Sequence, residues 1–580
     1  MLIADSPRDR WGNVKWEAMR ESRKLALKRG ASGGDPRWRR NLWTFALLAA
    51  LTSCLSVVAF PFAGPDEQAH FLYGYAVVTG QSPMESDGLS APRYLATGDM
   101  ACWNDYPENP AVCDLPDLNS GTTLVETVTT AANYPPLYYI LTCWPLLIAS
   151  GAPAIYCVRI LSAILFCALI TCALGTLARI HPWGPRAATL LCATLFPTVL
   201  SLGSVLNPQA LELGCALVYS ALFVRLIHIY AQGTRLGDAR RALIVMAPFL
   251  VLWILSRPVG PFWAIIVSVI FCLWLGVGGL KRLSVTREFW ILLGSATLAC
   301  LIWLLWRLVA QATIPVSGSP DYLALFGDSL SHLQLHLSSI LAWASIPIPA
   351  WARYLAEIMF LGALVCGFLL GSLRLKLALA AGIAAFPLSI VVATGQVYAE
   401  AGYMWQMRYS FPLVFALLVA SCASVAERWA RAELAERRAD AERRGNDKQA
   451  VSPAIVDGVS AANKPSRLWP AVLGRGLAII YLVASYAVWL PFLWSFPQRM
   501  WAHLGGGGWS GLPLGPRFAV FAAFGIVTAS FVLLLADISR GRRRRGPRNQ
   551  LEQGAAPRPR GARGERNVWL KCDGIPNANS

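Results

Sequence analysis

Residues 41–60 read NLWTFALLAALTSCLSVVAF, an uncharged run, and residues 61–71 follow at once as PFAGPDEQAHF. A helix needs about 20 apolar residues to cross the hydrocarbon core of a bilayer. The first stretch is therefore read as a membrane span and the second as its polar exit. Eleven Lys/Arg lie in residues 1–40, a leader too long for an ordinary signal-peptide n-region. The span is accordingly an uncleaved first helix with its N-terminus inside.

The same pattern recurs at 155–178, 187–204, 209–230, 242–256, 259–279, 289–311, 352–372, 377–394, 410–426, 471–494 and 516–536. The 580-residue chain is 55% hydrophobic and 14% charged, with mean hydropathy +0.47, whereas a soluble protein carries about 25% charged residues. These figures exclude a cytosolic enzyme, a secreted disulfide module and a disordered scaffold. They predict an all-α polytopic membrane protein of about 12 transmembrane helices with a large extracytoplasmic first loop. Residues 137–151 are apolar but short. Treating them as an interfacial helix leaves Arg179, Arg186, Arg235, Arg240, Arg241, Lys281, Arg282, Arg287, Arg374 and Lys376 in inner loops. That choice satisfies the positive-inside bias and puts both termini on the cytoplasmic side.

The net charge of +18 comes largely from the leader and from a run at Arg540, Arg542 to Arg545 and Arg548. Its location calls for attraction to a lipid surface rather than nucleic acid. The expected organisation is a basic segment 1–40, a transmembrane module 41–426, a charged helix and linker 427–470, two further spans within 471–536, and a basic tail 537–580. Loop 61–154 holds ten acidic residues against Arg93 alone, so it is read as an acidic folded piece outside the membrane. Cys102 and Cys113 both lie in it, where a short-range disulfide is chemically reasonable and two independent thiols are the alternative.

Polar residues that could carry chemistry gather at the expected outer ends of spans. Gly64-Pro65-Asp66-Glu67 is followed by His70, one helical turn from Asp66. Two adjacent carboxylates with a histidine suit a general base or a divalent-metal site; equally, Asp66 could cap a helix whose dipole Glu67 favours. Asn133-Tyr134-Pro135-Pro136-Leu137-Tyr138-Tyr139 opens the interfacial stretch, Arg159 begins the second span, Asn207-Pro208 fills a turn, Arg257-Pro258 separates two helices, and Trp405-Gln406-Met407-Arg408-Tyr409 leads into the tenth span. A single arginine at a membrane edge is ordinarily a snorkelling anchor. Carboxylates and guanidiniums converging on one face suggest instead a site for an anionic, lipid-linked substrate.

These motifs resemble those of the GT-C glycosyltransferases, and more narrowly the bacterial domain-of-unknown-function family 2142. That family's Pro-Asp-Glu-x-x-His corresponds to Pro65, Asp66, Glu67 and His70. Its Asn-Pro turn corresponds to Asn207 and Pro208, and its Gln-Gly-Arg-Tyr-x-x-Pro to Gln406, Arg408, Tyr409 and Pro412. The resemblance covers about residues 41 to 426; Met407 stands where glycine is usual, and Arg257 replaces a lysine before proline.

The resemblance implies a GT-C-like fold and transfer of a sugar from a polyprenyl-phosphate donor to a cell-envelope glycan or glycolipid. In that reading Asp66 activates the acceptor hydroxyl, Glu67 assists or binds a divalent metal, and His70 orients them. Arg408, Arg257 and Arg159 would hold the phosphate, with Asn207, Gln406, Tyr134, Tyr138 and Trp405 also in the substrate site. No cofactor is demanded by any motif. Two other readings stand beside it: a flippase of lipid-linked saccharides, and a non-catalytic scaffold of an envelope-assembly complex.

Overall fold

The computed structural model describes residues 36–81, 88–98, 116–180, 183–195, 197–233, 236–310, 321, 323–324, 326–327, 349–395, 407–443, 471–501 and 512–540. Trp405, Gln406, Cys102 and Cys113 lie outside them, as do residues 1–35 of the leader and almost all of loop 312–351. The chain is an all-α, multi-pass membrane protein. Its compact unit is Met1–Leu535; of the second unit, Ala536–Ser580, only the helical residues up to Arg540 are described.

Helix α1 (Pro36–Val58) leads through a turn to α2 (Glu67–Thr79). Strand β1 (Leu89–Pro92), the short α3 (Arg93–Ala96) and strand β2 (Leu124–Thr127) follow, then α4 (Leu137–Thr142) and a 3-10 turn, Trp144–Leu147. The membrane helices come next: α5 (Gly151–Ala178), α6 (Gly184–Ala193), α7 (Pro197–Gly203), α8 (Gln209–Ala231), α9 (Leu236–Ile254), α10 (Gly260–Leu275), α11 (Val277–Ser284) and α12 (Arg287–Val309). The rest are α13 (Ala350–Leu370), α14 (Leu373–Gly395), a 3-10 turn at Met407–Ser410, α15 (Phe411–Arg443), α16 (Ala471–Trp501) and α17 (Leu514–Arg540).

Among the described residues nine helices are long and apolar enough to cross a membrane, or eleven if two bent pairs each count as one span. About twelve were expected, and α9 is the difference: its 19 residues run unbroken through Pro248, but Asp238, Arg240 and Arg241 at its start leave too short an uncharged stretch. The expected span 259–279 ends early, at Gly276, whose φ of 78° and ψ of 165° suit glycine and turn α11 by 106° from α10. The guanidinium of Arg374 donates to the Leu275 carbonyl at that break. The stretch 137–151 is not one interfacial helix. It is the six-residue α4, about 9 Å long, and a separate 3-10 turn that Pro145 starts.

Helices α8 and α15 are buried along most of their length, with α5 packed between α8 and α1; α12 and α17 instead turn Leu, Ile, Val and Phe outward, as a lipid-facing helix must. Lipid gives no hydrophobic reward for helix association, so close packing carries it. Glycines sit at the crossings: a Cβ on Gly203 would lie 2.1 Å from the Phe166 ring, and one on Gly214 2.6 Å from Leu169.

Outside the bundle, β1 and β2 pair antiparallel with Leu89 opposite Thr127 and Pro92 opposite Leu124. Gln68 of α2 donates to the carbonyls of Leu95 and Thr97 at 3.1 and 2.9 Å, and Thr129 donates to that of Ala69. The segments around Leu95 and Thr129 are thereby fastened to α2, the helix that opens loop 61–154. At the other end of the chain, the Trp501 indole of α16 donates to the Val58 carbonyl at 2.9 Å and meets the Phe60 ring edge-on.

Candidate functional site

The turn between α1 and α2 has two neighbouring carboxylates with opposite surroundings. Glu67 is wholly buried and meets four donors. Arg159 reaches its Oε1 through Nε at 2.7 Å and its Oε2 through Nη2 at 2.6 Å. The backbone N–H of Leu206 donates to Oε1 at 2.9 Å, and that of Gly64 to Oε2 at 3.0 Å. Arg159 lies in the third turn of α5, not at its start, because α5 begins at Gly151. Its remaining N–H groups donate to the carbonyls of Ser56, Ala59 and Phe60. A guanidinium has five N–H donors, and this arrangement uses all of them. Ser56 is among the last four carbonyls of α1, which helix geometry leaves without a partner, and Ala59 and Phe60 belong to the exit just past that helix.

Asp66 stands in the left-handed region, φ 55° and ψ 15°, directly before α2, and its side chain makes no capping bond to that helix. Its backbone carbonyl accepts from the His70 N–H instead. Asparagine and aspartate tolerate this conformation better than most residues. The carboxylate is a quarter exposed, and its Oδ2 lies 3.4 Å from Nη2 of Arg408, an ion pair longer than an ideal hydrogen bond. The helix-capping alternative therefore does not describe Asp66.

Asn207 fixes this turn from behind. Its Nδ2 donates to the Pro65 carbonyl at 3.0 Å, and its Oδ1 accepts from the Gln209 N–H at 2.9 Å. Tyr138 is fully buried, with its hydroxyl shared between Ser162 Oγ at 2.7 Å and the Asn207 N–H at 3.2 Å. Both residues are thus occupied in holding backbone.

Arg257 sits in the α9–α10 turn, nearly buried, and donates through Nη1 to Glu212 Oε2 at 2.9 Å. Its guanidinium carbon lies 5.2 Å from the Tyr409 ring centre and 5.9 Å from that of Tyr134. Arg408 stacks on Tyr409 at 4.8 Å. The His70 ring meets Tyr134 edge-on at 5.0 Å and bonds the Tyr139 hydroxyl through Nδ1 at 2.8 Å. Burial, then the charges of Arg257 and Arg408, lowers the His70 pKa well below its usual value, so the imidazole is neutral near pH 7. Burial raises the Tyr139 hydroxyl.

The structure therefore brings Asp66, Glu67, His70, Tyr134, Tyr138, Arg159, Asn207, Arg257 and Arg408 to one end of the bundle. Gln209 and Glu212 were not assigned to the site from sequence, and Tyr139 entered only as the last residue of its motif. Gln209 donates to the Arg408 carbonyl. Gln209 and Glu212 are three apart on one face of a helix that carries no other charge before Arg225, and a carboxylate in such a helix is by itself a functional signal. A metal held by Asp66 and Glu67 does not fit this arrangement, since Glu67 has both oxygens engaged by Arg159 and two backbone donors. Among the described residues no group of three His, Cys, Asp or Glu comes together as a ligand set.

Solved structures similar to the chain include ArnT from Cupriavidus metallidurans in the apo state, at 13% identity and TM-score 0.38, covering 86% of this chain and 77% of that one. The same enzyme bound to undecaprenyl phosphate gives 14% and 0.39, over 86% and 78%. The archaeal oligosaccharyltransferase AglB from Archaeoglobus fulgidus, in complex with an inhibitory peptide and a dolichol-phosphate, gives 13% and 0.31, over 84% of this chain and 60% of that one. No curated protein matches. Residues 48–417 match the family model described as "Predicted membrane protein (DUF2142)"; this is more than half of the chain, and the chain belongs to that family.

Proposed function

We propose that the protein is a membrane glycosyltransferase that uses a polyprenyl-phosphate sugar as donor and a cell-envelope glycan or glycolipid as acceptor. The observation that carries this reading is the division of labour between Asp66 and Glu67. One carboxylate is a quarter exposed, held in a left-handed backbone and faced by Arg408; its neighbour is sealed into the scaffold by Arg159. Asp66 takes the proton of the acceptor hydroxyl as that oxygen attacks the anomeric carbon. The bond from the anomeric carbon to the phosphate oxygen breaks, and the lipid phosphate leaves with both electrons. Arg408 and Arg257 supply fixed positive charge where the phosphate becomes more negative. Glu67, Arg159 and Asn207 are positioning residues in this scheme.

The polar cluster lies at one end of the bundle, at the turns between helices. A transporter would concentrate ionisable groups midway along them, so the arrangement favours transfer over flipping. The test uses membranes containing wild type or Asp66→Asn at equal abundance, supplied with labelled polyprenyl-phosphate sugars. Transfer of label by wild type and its loss in the variant is the expected result. Equal transfer by both removes Asp66 from the chemistry, and no transfer by either across a donor panel points to the flippase or scaffold.

A further inference from the structure

Five buried polar atoms, at the starts of α2 and α8, in the α9–α10 turn and in the 3-10 turn before α15, have no hydrogen-bond partner: His70 Nε2, Gln209 Oε1, Glu212 Oε1, Arg257 Nε and Ser410 Oγ. Their residues are at least nine-tenths buried. They form a connected group. Arg257 holds Glu212 and lies against Tyr134 and Tyr409; Tyr134 touches His70; and Gln209 binds the carbonyl of Arg408, two residues before Ser410. Natural proteins pair buried polar groups with few exceptions, so five neighbouring orphans mark a place where something polar binds.

The chemistry of the five atoms narrows what that is. Glu212 Oε1 and Gln209 Oε1 only accept hydrogen bonds, and Arg257 Nε only donates. His70 Nε2 donates or accepts according to tautomer, and Ser410 does both. The phosphodiester of a lipid-linked sugar has no proton to give, so it satisfies Arg257 and leaves both acceptor oxygens bare. Sugar hydroxyls both donate and accept, and they match every member of the set. A carboxylated sugar would set its own charge against Glu212.

Resting on the glycosyltransferase reading, we infer that Gln209, Glu212, Arg257, His70 and Ser410 form the pocket for the transferred sugar, and that this sugar is hydroxylated and carries no negative charge. The lipid phosphate then falls to Arg408 and to whatever Arg257 donors the sugar does not use. The two ligand halves are distinguished by different residues.

The experiment measures binding to full-length protein in lipid nanodiscs. The probes are undecaprenyl phosphate, the same lipid carrying glucosyl, galactosyl or mannosyl headgroups, and the matched uronyl headgroups that differ at the terminal carbon. At least one neutral headgroup is expected to bind about tenfold tighter than the bare lipid phosphate, the effect of one or two net hydrogen bonds, while its uronyl counterpart gains nothing. Glu212→Gln should shrink the preference for neutral over uronyl, and Ser410→Ala should reduce the sugar-dependent gain. If bare phosphate binds and no neutral headgroup improves on it, ordered water fills the pocket, and this inference fails while the glycosyltransferase reading survives. A uronyl lipid binding as tightly as its neutral counterpart also overturns it. Binding of none of the lipids overturns both. The wild-type comparison decides the matter even if a variant does not fold.

Discussion

Arg159 grips Glu67 through two hydrogen bonds of 2.7 and 2.6 Å, in a place where neither side chain touches solvent. The pair is a foundation on which the exposed Asp66 stands. Removing one partner of a buried ion pair leaves an uncompensated charge and costs about 3–5 kcal/mol. Arg159→Ala is expected to lower thermal stability by that order, measured by unfolding in detergent or nanodiscs, and Glu67→Gln/Arg159→Met should recover much of it. A fully stable Arg159→Ala protein would mean that the pair serves chemistry rather than structure.

Asp66 separates stability from activity. Its left-handed backbone costs any residue with a Cβ something that glycine avoids. Asp66→Gly is therefore expected to match or exceed wild-type stability, with Asp66→Ala about 1 kcal/mol below it, and both should lose transfer. Melting temperatures alongside a transfer assay check this. Greater stability in the alanine variant would show that the backbone does not depend on the side chain in this way.

His70 gives a pH signature. The folded imidazole is held below its usual pKa by burial and by Arg257 and Arg408, whereas the unfolded chain takes up a proton near pH 6.5. Unfolding therefore binds a proton below that point. The contribution is complete above about pH 6.5 and declines as pH falls towards the lowered folded value, by at most about 1.4 kcal/mol per pH unit. Melting curves between pH 7.5 and 5 should show this slope in wild type and not in His70→Gln. An identical slope in both assigns it to another group.

Gly203 tests the packing of α7 on α5. A methyl group there would meet the buried Phe166 ring at 2.1 Å, and overpacking of this kind costs about 1–3 kcal/mol. Gly203→Ala should lower thermal stability, while Gly525→Ala, which meets nothing nearby, should not. Similar effects of the two would mean that α7 yields without cost.

The membrane character is legible in the sequence because a helix in lipid satisfies its own backbone and shows only its apolar side chains. Helix breaks are less legible: the turn at Gly276 lies inside a run whose composition hardly changes. The one-ended clustering of Asp66, Asn207, Arg257 and Arg408 follows from their places at helix ends. What composition does not separate is the work of two adjacent acids. Asp66 and Glu67 differ by one methylene, and their roles are assigned by an arginine 92 positions away and a backbone N–H 139 positions away. The Glu212–Arg257 pair shows the same limit. Glu212 is conspicuous in its helix, but only three-dimensional packing supplies its partner.

The contact of Trp501 with Val58 and Phe60 bears on where the protein ends as a working unit. Residues 471–501 lie beyond the family match at 417, yet their last indole covers the carbonyl between those that Arg159 holds. A fragment cut after the matched region would leave the exit of the first helix with an uncovered carbonyl and a bare aromatic ring. The packing of the first helix therefore extends past the family match, to the end of α16.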